Sequence, residues 1–153
     1  MSESSVFGAC LCGAVRFRIE FPTLFCGHCH CTMCQRNHGA AFVTWFAVPR
    51  TQIEIVEGEE LLTRYASSSH GSRSFCSGCG TSLFCVSDHL PDHVDIPLAN
   101  MEGEIDKAPE LHFYFDSHVG WVPFDDGLPR RGGATGMEPL GNAPDAPDAP
   151  DAG

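Results

Sequence analysis

Seven cysteines arranged in three short groups constrain this 153-residue chain more than any other feature of its sequence. The groups are Cys10-x-Cys12, Cys29-x-Cys31-x-x-Cys34 and Cys76-x-x-Cys79. The total of nine cysteines is odd, which fits a disulfide framework poorly. In a reducing compartment such groups are better explained as metal ligands or catalytic thiols. They indicate zinc, because zinc binds cysteine thiolates with about four ligands in a tetrahedron.

Four of these cysteines can form a closed zinc site, which we call the first cluster: Cys10, Cys12, Cys76 and Cys79. Two thiolates from each of two distant pairs would complete a tetrahedron and tie the beginning of the chain to its middle. A glycine follows the second cysteine of each pair, at Gly13 and Gly80, and permits a tight turn. We expect this site to be structural.

The remaining group, which we call the second cluster, consists of Cys29, Cys31 and Cys34. Three thiolates leave a fourth position for water, a substrate thiol or another side chain, as in catalytic zinc sites. An alternative remains open, because Cys26 and Cys29 are also spaced as Cys-x-x-Cys and Cys26 could close the site. Cys85 lies in an apolar run and is better explained as a small buried side chain. We expect two zinc ions per chain.

Composition and charge narrow the remaining possibilities. The length and the 42% of apolar residues suit one globular core. No stretch approaches the roughly 18 apolar residues of a membrane span, and residues 1–5 lack the basic and apolar regions of a signal peptide. We therefore expect a cytoplasmic protein without a membrane partner. The formal net charge of -11 would repel phosphate backbones, so we expect no nucleic-acid partner.

Alternation of apolar and polar residues predicts a mainly β protein. Residues 15–20 and 53–55 alternate with a period of two, which is typical of half-buried strands. The β-branched and aromatic run from 40 to 48 indicates a central strand, closed by Pro49. Further short strands are predicted near 61–65, 72–75, 93–96 and 112–115.

A short helix and an acidic tail complete the predicted organisation. We expect a turn or two of helix around Thr32 to His38, ended by Gly39. From residue 132 onward the composition shifts to Gly, Ala, Pro and Asp, which have nothing to bury. We therefore divide the chain into one zinc domain over 1–131 and a disordered acidic tail over 132–153.

Several motifs in a fixed order carry a resemblance to a known family. They lie at residues 8–17, 29–36, 39–40, 65–68 and 73–80, and the match continues through 92–99, 112–117, Trp121 and 126–129. Together they resemble the glutathione-dependent formaldehyde-activating enzyme family, also called the GFA or centromere-protein-V-like domain. The resemblance implies an Mss4-like fold of coiled, mostly antiparallel sheets that are held by a structural zinc on the first cluster.

The same resemblance implies a second zinc on the second cluster and a carbon–sulfur lyase activity. In the named member, glutathione and formaldehyde are joined to give S-hydroxymethylglutathione. A small thiol such as glutathione and a small aldehyde are therefore the expected partners. Three thiolates make zinc a weak Lewis acid, so nearby cations or N–H donors would have to stabilise a developing alkoxide. Arg36, Arg73 and His30 are the candidates for that role.

Each of these candidates also has a structural explanation. Arg36 and Arg73 could simply pair with acidic residues, and His30 could merely border the loop. His112, a further histidine, lies among apolar residues, where a core histidine is as reasonable as a proton carrier. A non-enzymatic, zinc-stabilised module that binds glutathione or a protein therefore remains an alternative. A methionine sulfoxide reductase of similar fold would need a redox cysteine outside both clusters, and neither Cys26 nor Cys85 has the expected flanks.

Overall fold

The computed structural model describes residues 4–140, which divide into two compact units. The first unit contains the chain up to Cys26 together with Trp45–Ala108, and the second contains Gly27–Thr44 and the chain from Pro109 onward. The strands are β1 Ser5–Ala9, β2 Arg16–Glu20, β3 Phe25–Cys29, β4 Val43–Pro49, β5 Ile53–Glu57, β6 Leu62–Ser68, β7 Gly71–Cys76, β8 Ser82–Ser87, β9 Leu90–Pro97, β10 His112–Phe113, β11 Arg131–Gly132 and β12 Glu138–Pro139. The α-helix, α1, spans Thr32–His38, and 3-10 helices lie at Arg50–Gln52, Glu59–Leu61, Leu98–Asn100 and Phe115–Ser117.

Antiparallel sheets make up the first unit. One has the order β1-β2-β5, and the other runs β4-β9-β8-β7-β6 with every neighbouring pair antiparallel. In the second unit β10 pairs in parallel with β3, so that His112 lies opposite His28, and β11 pairs antiparallel with β12. The predicted fold class, a mainly β protein with mostly antiparallel sheets, is confirmed.

The alternating segment of β2 places its apolar residues in the core of the first unit. Phe17 and Ile19 are fully buried, and the ring of Phe17 packs edge to face on Phe84 at 5.0 Å. Burying side chains of this size contributes about 1.5–3 kcal/mol each. Arg16 and Arg18 point outward and form ion pairs with glutamates in the same unit. The period-two pattern therefore predicted which side chains of β2 face the core and which point outward.

The structure also shows where the predicted elements begin and end. The helix Thr32–His38 has the expected bounds and ends at Gly39, whose φ of 60° lies in the left-handed region. Strand β4 begins at Val43 rather than at residue 40, because the N–H of Ala40 still donates to the Gln35 carbonyl at 3.1 Å. The pattern missed β1, β3, β8, β11 and β12.

Ordered structure extends past the predicted boundary at residue 132. Strand β12 pairs with β11, and the N–H of Gly133 donates to the Asp116 carboxylate at 2.9 Å. Gly133 and Gly136 have φ values of 78° and 77°, which only glycine adopts without strain, so a glycine-rich composition here encodes a turn. The rest of the predicted tail, 141–153, lies outside the described residues. Within 4–140 no helix has the length and apolar character needed to cross a membrane.

Candidate metal centres

The first cluster lies entirely in the first unit, where two turns bring its four sulfurs together. All four Sγ atoms lie within 4.8 Å of one another, with 3.6 Å between Cys10 and Cys12 and 4.0 Å between Cys12 and Cys76. A zinc tetrahedron with Zn–S bonds near 2.3 Å has edges of about 3.8 Å. The sulfurs are therefore spaced as a four-thiolate zinc site requires.

Hydrogen-bond donors surround the sulfurs of the first cluster. The N–H of Val15 donates to Cys10 Sγ and the N–H of Gly78 to Cys76 Sγ, both at 3.3 Å. The hydroxyl and N–H of Thr81, with the Cys12 backbone, lower the pKa of Cys79 to about 5. Donors of this kind favour the thiolate, which is the form that binds metal.

The second cluster lies in the second unit, at the junction of β3 with α1. Cys29 is the last residue of β3, and Cys31 caps α1 by accepting the N–H of Cys34 at 3.2 Å. The sulfurs of Cys29 and Cys34 are 3.6 Å apart, and all three sulfurs lie within 4.8 Å of one another. Among the described residues no fourth His, Cys, Asp or Glu side chain completes this group.

The chemistry of these three thiols also fits a cation. The neighbouring sulfurs of Cys31 and Cys34, followed by burial, raise the pKa of Cys29 far above its ordinary value. Three thiolates this close repel one another unless a positive charge lies between them. A Zn²⁺ ion would supply that charge and takes ligands at these separations, so the second cluster fits a metal ion as well as the first does.

Cys26 occupies a different environment from the second cluster. It lies three residues before Cys29 in β3, and residues three apart in a strand point to opposite faces. Its side chain is fully buried and belongs to the apolar core of the first unit. The structure therefore groups Cys29, Cys31 and Cys34 without Cys26.

A chain of hydrogen bonds anchors His30, which lies between Cys29 and Cys31 of the second cluster. His30 Nε2 lies 2.8 Å from His112 Nδ1, and His112 Nε2 lies 2.9 Å from a carboxylate oxygen of Asp126. We call these three residues the histidine chain. His30 and His112 are both fully buried. Phe42, Phe115 and Phe124 pack against the ring of His30 with centroids 4.9 to 5.3 Å away.

The pKa shifts in the histidine chain favour an ionised Asp126 and a neutral His30. Burial alone would raise the pKa of Asp126, but the N–H of Leu128 and the His112 ring outweigh it and lower that pKa. Burial, reinforced by His112, lowers the pKa of His30 to about 3. A neutral His30 that donates from Nε2 to His112 Nδ1 keeps a lone pair on its own Nδ1, and His112 then donates from Nε2 to Asp126. In residues 4–140 the buried Nδ1 of His30 has no hydrogen-bond partner.

Backbone contacts hold the same loop from two sides. The N–H of His30 donates to the Phe113 carbonyl at 2.9 Å, and its carbonyl accepts from Gln35 Nε2 at 2.7 Å. Gln35 Nε2 also donates to the Ser117 carbonyl at 2.9 Å. The peptide between Cys29 and Cys31 is therefore fixed by the histidine chain, by β10 and by α1 at once.

The two candidate arginines have different surroundings. Arg36 is exposed on α1, two residues after Cys34, and within the described part of the chain its guanidinium has no ion-pair partner. Arg73 is buried in the first unit, with its guanidinium 5.8 Å from the centre of the Trp45 ring. Burial raises the pKa of Asp95 to about 7, against the opposing charge of Arg73. Of the two, Arg36 shares a unit with the second cluster.

Sequence reasoning missed the role of Asp126. His30 and His112 were recognised as candidates, but nothing in the spacing links them to a carboxylate far along the chain. The only signal was the segment Asp126-Gly-Leu-Pro129, a turn composition in which Asp126 accepts the N–H of Leu128 at 3.0 Å. That turn presents the carboxylate to His112.

Comparison with known proteins identifies relatives for both the sequence and the fold. A family model described as glutathione-dependent formaldehyde-activating enzyme matches residues 5–117, which include both clusters. A Halomonas elongata protein that carries the provisional name of such an enzyme is 26% identical over 125 residues, covering 77% of this chain and 80% of its own. An uncharacterized lyase of Schizosaccharomyces pombe is 39% identical over 79 residues, covering 50% of this chain and 54% of its own.

A solved structure supports the fold. The crystal structure of a Rhodobacter sphaeroides protein superposes with a TM-score of 0.56 at 24% sequence identity. The superposition covers 67% of this chain and 97% of that chain. At this level of identity the likeness shows a shared fold over the superposed part of the chain.

Proposed function

The chain belongs to the glutathione-dependent formaldehyde-activating enzyme family, and from that premise we propose that it is a zinc-dependent carbon–sulfur lyase. Its proposed reactants are glutathione and formaldehyde, and their adduct is S-hydroxymethylglutathione. One observation carries the proposal, the second cluster, whose three sulfurs lie together without a fourth ligand among the described residues. Such a set leaves a position for the substrate thiol. We place the activity in the cytoplasm, where thiols remain reduced.

The proposed reaction is an addition in which all atoms are retained. The glutathione sulfur forms a bond to the carbonyl carbon, the carbonyl π electrons move to oxygen, and oxygen takes the proton that the thiol loses. Zinc on the second cluster would lower the pKa of a thiol in its fourth position, which increases the fraction of thiolate. The lyase direction is the reverse, in which the carbon–sulfur bond breaks and the thiol is released.

We propose that Arg36 stabilises the negative charge that develops on the oxygen during the addition. Its side chain is exposed on α1, the helix that also carries Cys34, so we assign it this role from its charge and its place in the same unit as the second cluster. Glutathione carries two carboxylates, and a chain with a net charge of -11 needs a local cation to receive it. We assign this role to Arg36 in preference to Arg73, which packs against Trp45 in the first unit.

The histidine chain has a positioning role in this proposal. Its two histidines are fully buried, and through the side chain of His30 it fixes the peptide between Cys29 and Cys31. A cysteine held in one rotamer and one backbone conformation loses less entropy when it binds a metal. Asp126, His112 and His30 therefore keep the sulfurs at the separations that a zinc ion requires.

Adduct formation from glutathione and formaldehyde tests the activity directly. The zinc-loaded protein should accelerate the reaction, followed as exchange between the free and hydroxymethylated thiol by NMR. Cys31→Ser should abolish the acceleration while circular dichroism shows an intact fold. Cys85→Ala is the matched control, because it removes a thiol outside both clusters and should retain the rate.

The binding-module alternative predicts a different outcome of the same experiment. Equal rates with and without the protein would contradict the enzyme. Saturable binding of glutathione in the absence of any acceleration would then favour a zinc-stabilised binding module.

A further inference from the structure

Two arginines of the first unit point into one groove, although the chain as a whole is strongly acidic. The groove has a volume of about 410 Å³ and lies along β6, β7 and β8. We call it the arginine groove. Its lining includes Arg50, Arg64, Ser68, Ser72, Ser87 and Asp88. We propose that it is a binding site for a small organic molecule that carries a carboxylate or phosphate group.

Both guanidinium groups are oriented by the protein and still have donors to offer. Arg50 Nε donates to the Pro91 carbonyl at 2.6 Å, and Arg64 Nε donates to the Ser72 hydroxyl at 2.8 Å. Within residues 4–140 neither guanidinium forms an ion pair, although the chain has 20 Asp and Glu residues. Their terminal nitrogens are therefore available to an oxyanion, which arginine binds through two parallel hydrogen bonds.

Three hydroxyl groups add further donors. Ser68 Oγ accepts the N–H of His70 and Ser87 Oγ accepts the N–H of His89, each at 3.1 Å, while Ser72 Oγ accepts from Arg64. A serine whose oxygen already accepts a hydrogen bond can still donate its proton. In the described chain none of the three hydroxyls donates elsewhere, so the arginine groove is rich in donors.

Asp88 limits the class of ligand. Asp88 lines the same groove, so that two positively charged residues and one negatively charged residue border it. An extended polyanion would place further negative charge beside Asp88 and be repelled. The groove volume exceeds that of a bare oxyanion, so a compact organic molecule with one anionic end fits both observations.

Calorimetric titration of the zinc-loaded protein with inorganic phosphate, succinate and uncharged succinamide tests the site. At constant ionic strength, at least one of the two anions should bind saturably with one site per chain, and succinamide should not bind. Arg64→Gln and Arg50→Gln should each weaken binding by roughly tenfold or more, since each removes a charge-assisted hydrogen bond. A preference for phosphate or for succinate then identifies the anionic group.

Arg131→Gln is the matched control, because it removes the same charge from an arginine outside the arginine groove. It should leave anion binding unchanged, and circular dichroism should show that all variants are folded. Absence of binding by both anions would overturn the proposal. An equal loss in Arg131→Gln and Arg64→Gln would also overturn it, because the attraction would then come from overall charge.

Discussion

The first cluster joins segments that lie 64 residues apart in the chain, whereas the second comes from six consecutive residues. The first has four sulfurs at two turns, with Cys12 exposed to solvent. The second has three sulfurs, with Cys29 and Cys34 buried. A metal in the first site closes a long loop of the chain, and a metal in the second site closes almost none. The two sites should therefore differ in what their metals do for the protein.

The difference follows from chain entropy and from ligand number. Cross-linking distant segments removes many conformations from the unfolded chain, so we expect metal binding at the first cluster to contribute to folding. Binding at the second cluster restrains a short loop that β10 and α1 already hold. Its open position is useful for chemistry instead. We therefore expect stability to depend on the first cluster and function on the second, although both use the same ligand atom.

The largest expected effect comes from breaking the first cluster. Cys76→Ser removes a fully buried ligand, and a structural zinc site is worth about 10 kcal/mol or more at neutral pH. Because this is comparable with the total stability of a domain, the variant should lack a cooperative unfolding transition. Thermal denaturation followed by circular dichroism measures the effect.

Cys31→Ser makes the same chemical change in the second cluster and serves as the matched variant. It should keep a cooperative transition near that of the wild type and should lose one of two metal ions per chain. If Cys31→Ser also abolished the transition, the two sites would not differ in kind and the comparison would fail.

A smaller effect is expected from Asp126→Ala, which removes the anchor of the histidine chain. Loss of a group hydrogen-bonded to a metal ligand typically weakens metal affinity by about 10–100-fold, and Asp126, which acts through His112 and His30, should fall at the low end of that range. We expect a loss in this range at the second cluster alone, measured by competition with a chromophoric zinc chelator. The first cluster provides an internal reference in the same molecule.

Asp125→Ala is the control for that experiment, because it removes the neighbouring acidic side chain outside the histidine chain. Its affinities should match those of the wild type. Equal affinities in Asp126→Ala and wild type would show that the histidine chain does not position the second cluster.

The smallest effect is expected from Cys26→Ala, which tests whether the second cluster is open. Cys26 is fully buried in the core, so losing its sulfur should cost about 1 kcal/mol of unfolding free energy, as small core truncations do. Elemental analysis should still find two metal ions per chain. A variant with one ion would show that Cys26 is a ligand and that the second site is closed.

The sequence predicted the clusters better than it predicted the elements between them. Cysteine spacing is a local signal that can be read from the sequence. The structure places the seven cysteines in the two expected groups, of four and of three. The helix was also predicted, because Gly39 ends it where only glycine adopts the backbone comfortably. Strand β3 was missed, because its sequence Phe-Cys-Gly-His-Cys lacks alternation and its Gly27 lies against the Phe113 ring.

Long-range pairings could not be predicted in the same way. The link from His30 through His112 to Asp126 depends on the parallel pairing of β10 with β3, which leaves no periodic mark on the sequence. The arginine groove likewise depends on which strands become neighbours. Both required the structure, because they join residues that no local pattern relates.

The openness of the second cluster is the central claim, and cobalt substitution tests it most directly. Co²⁺ occupies tetrahedral thiolate sites as Zn²⁺ does, and its visible absorption reports a change of ligand. Glutathione added to the cobalt-loaded protein should change the absorption saturably in the wild type and not in Cys31→Ser, and S-methylglutathione should have no effect. An unchanged wild-type spectrum, or the same change in Cys31→Ser, would contradict an open position at the second cluster.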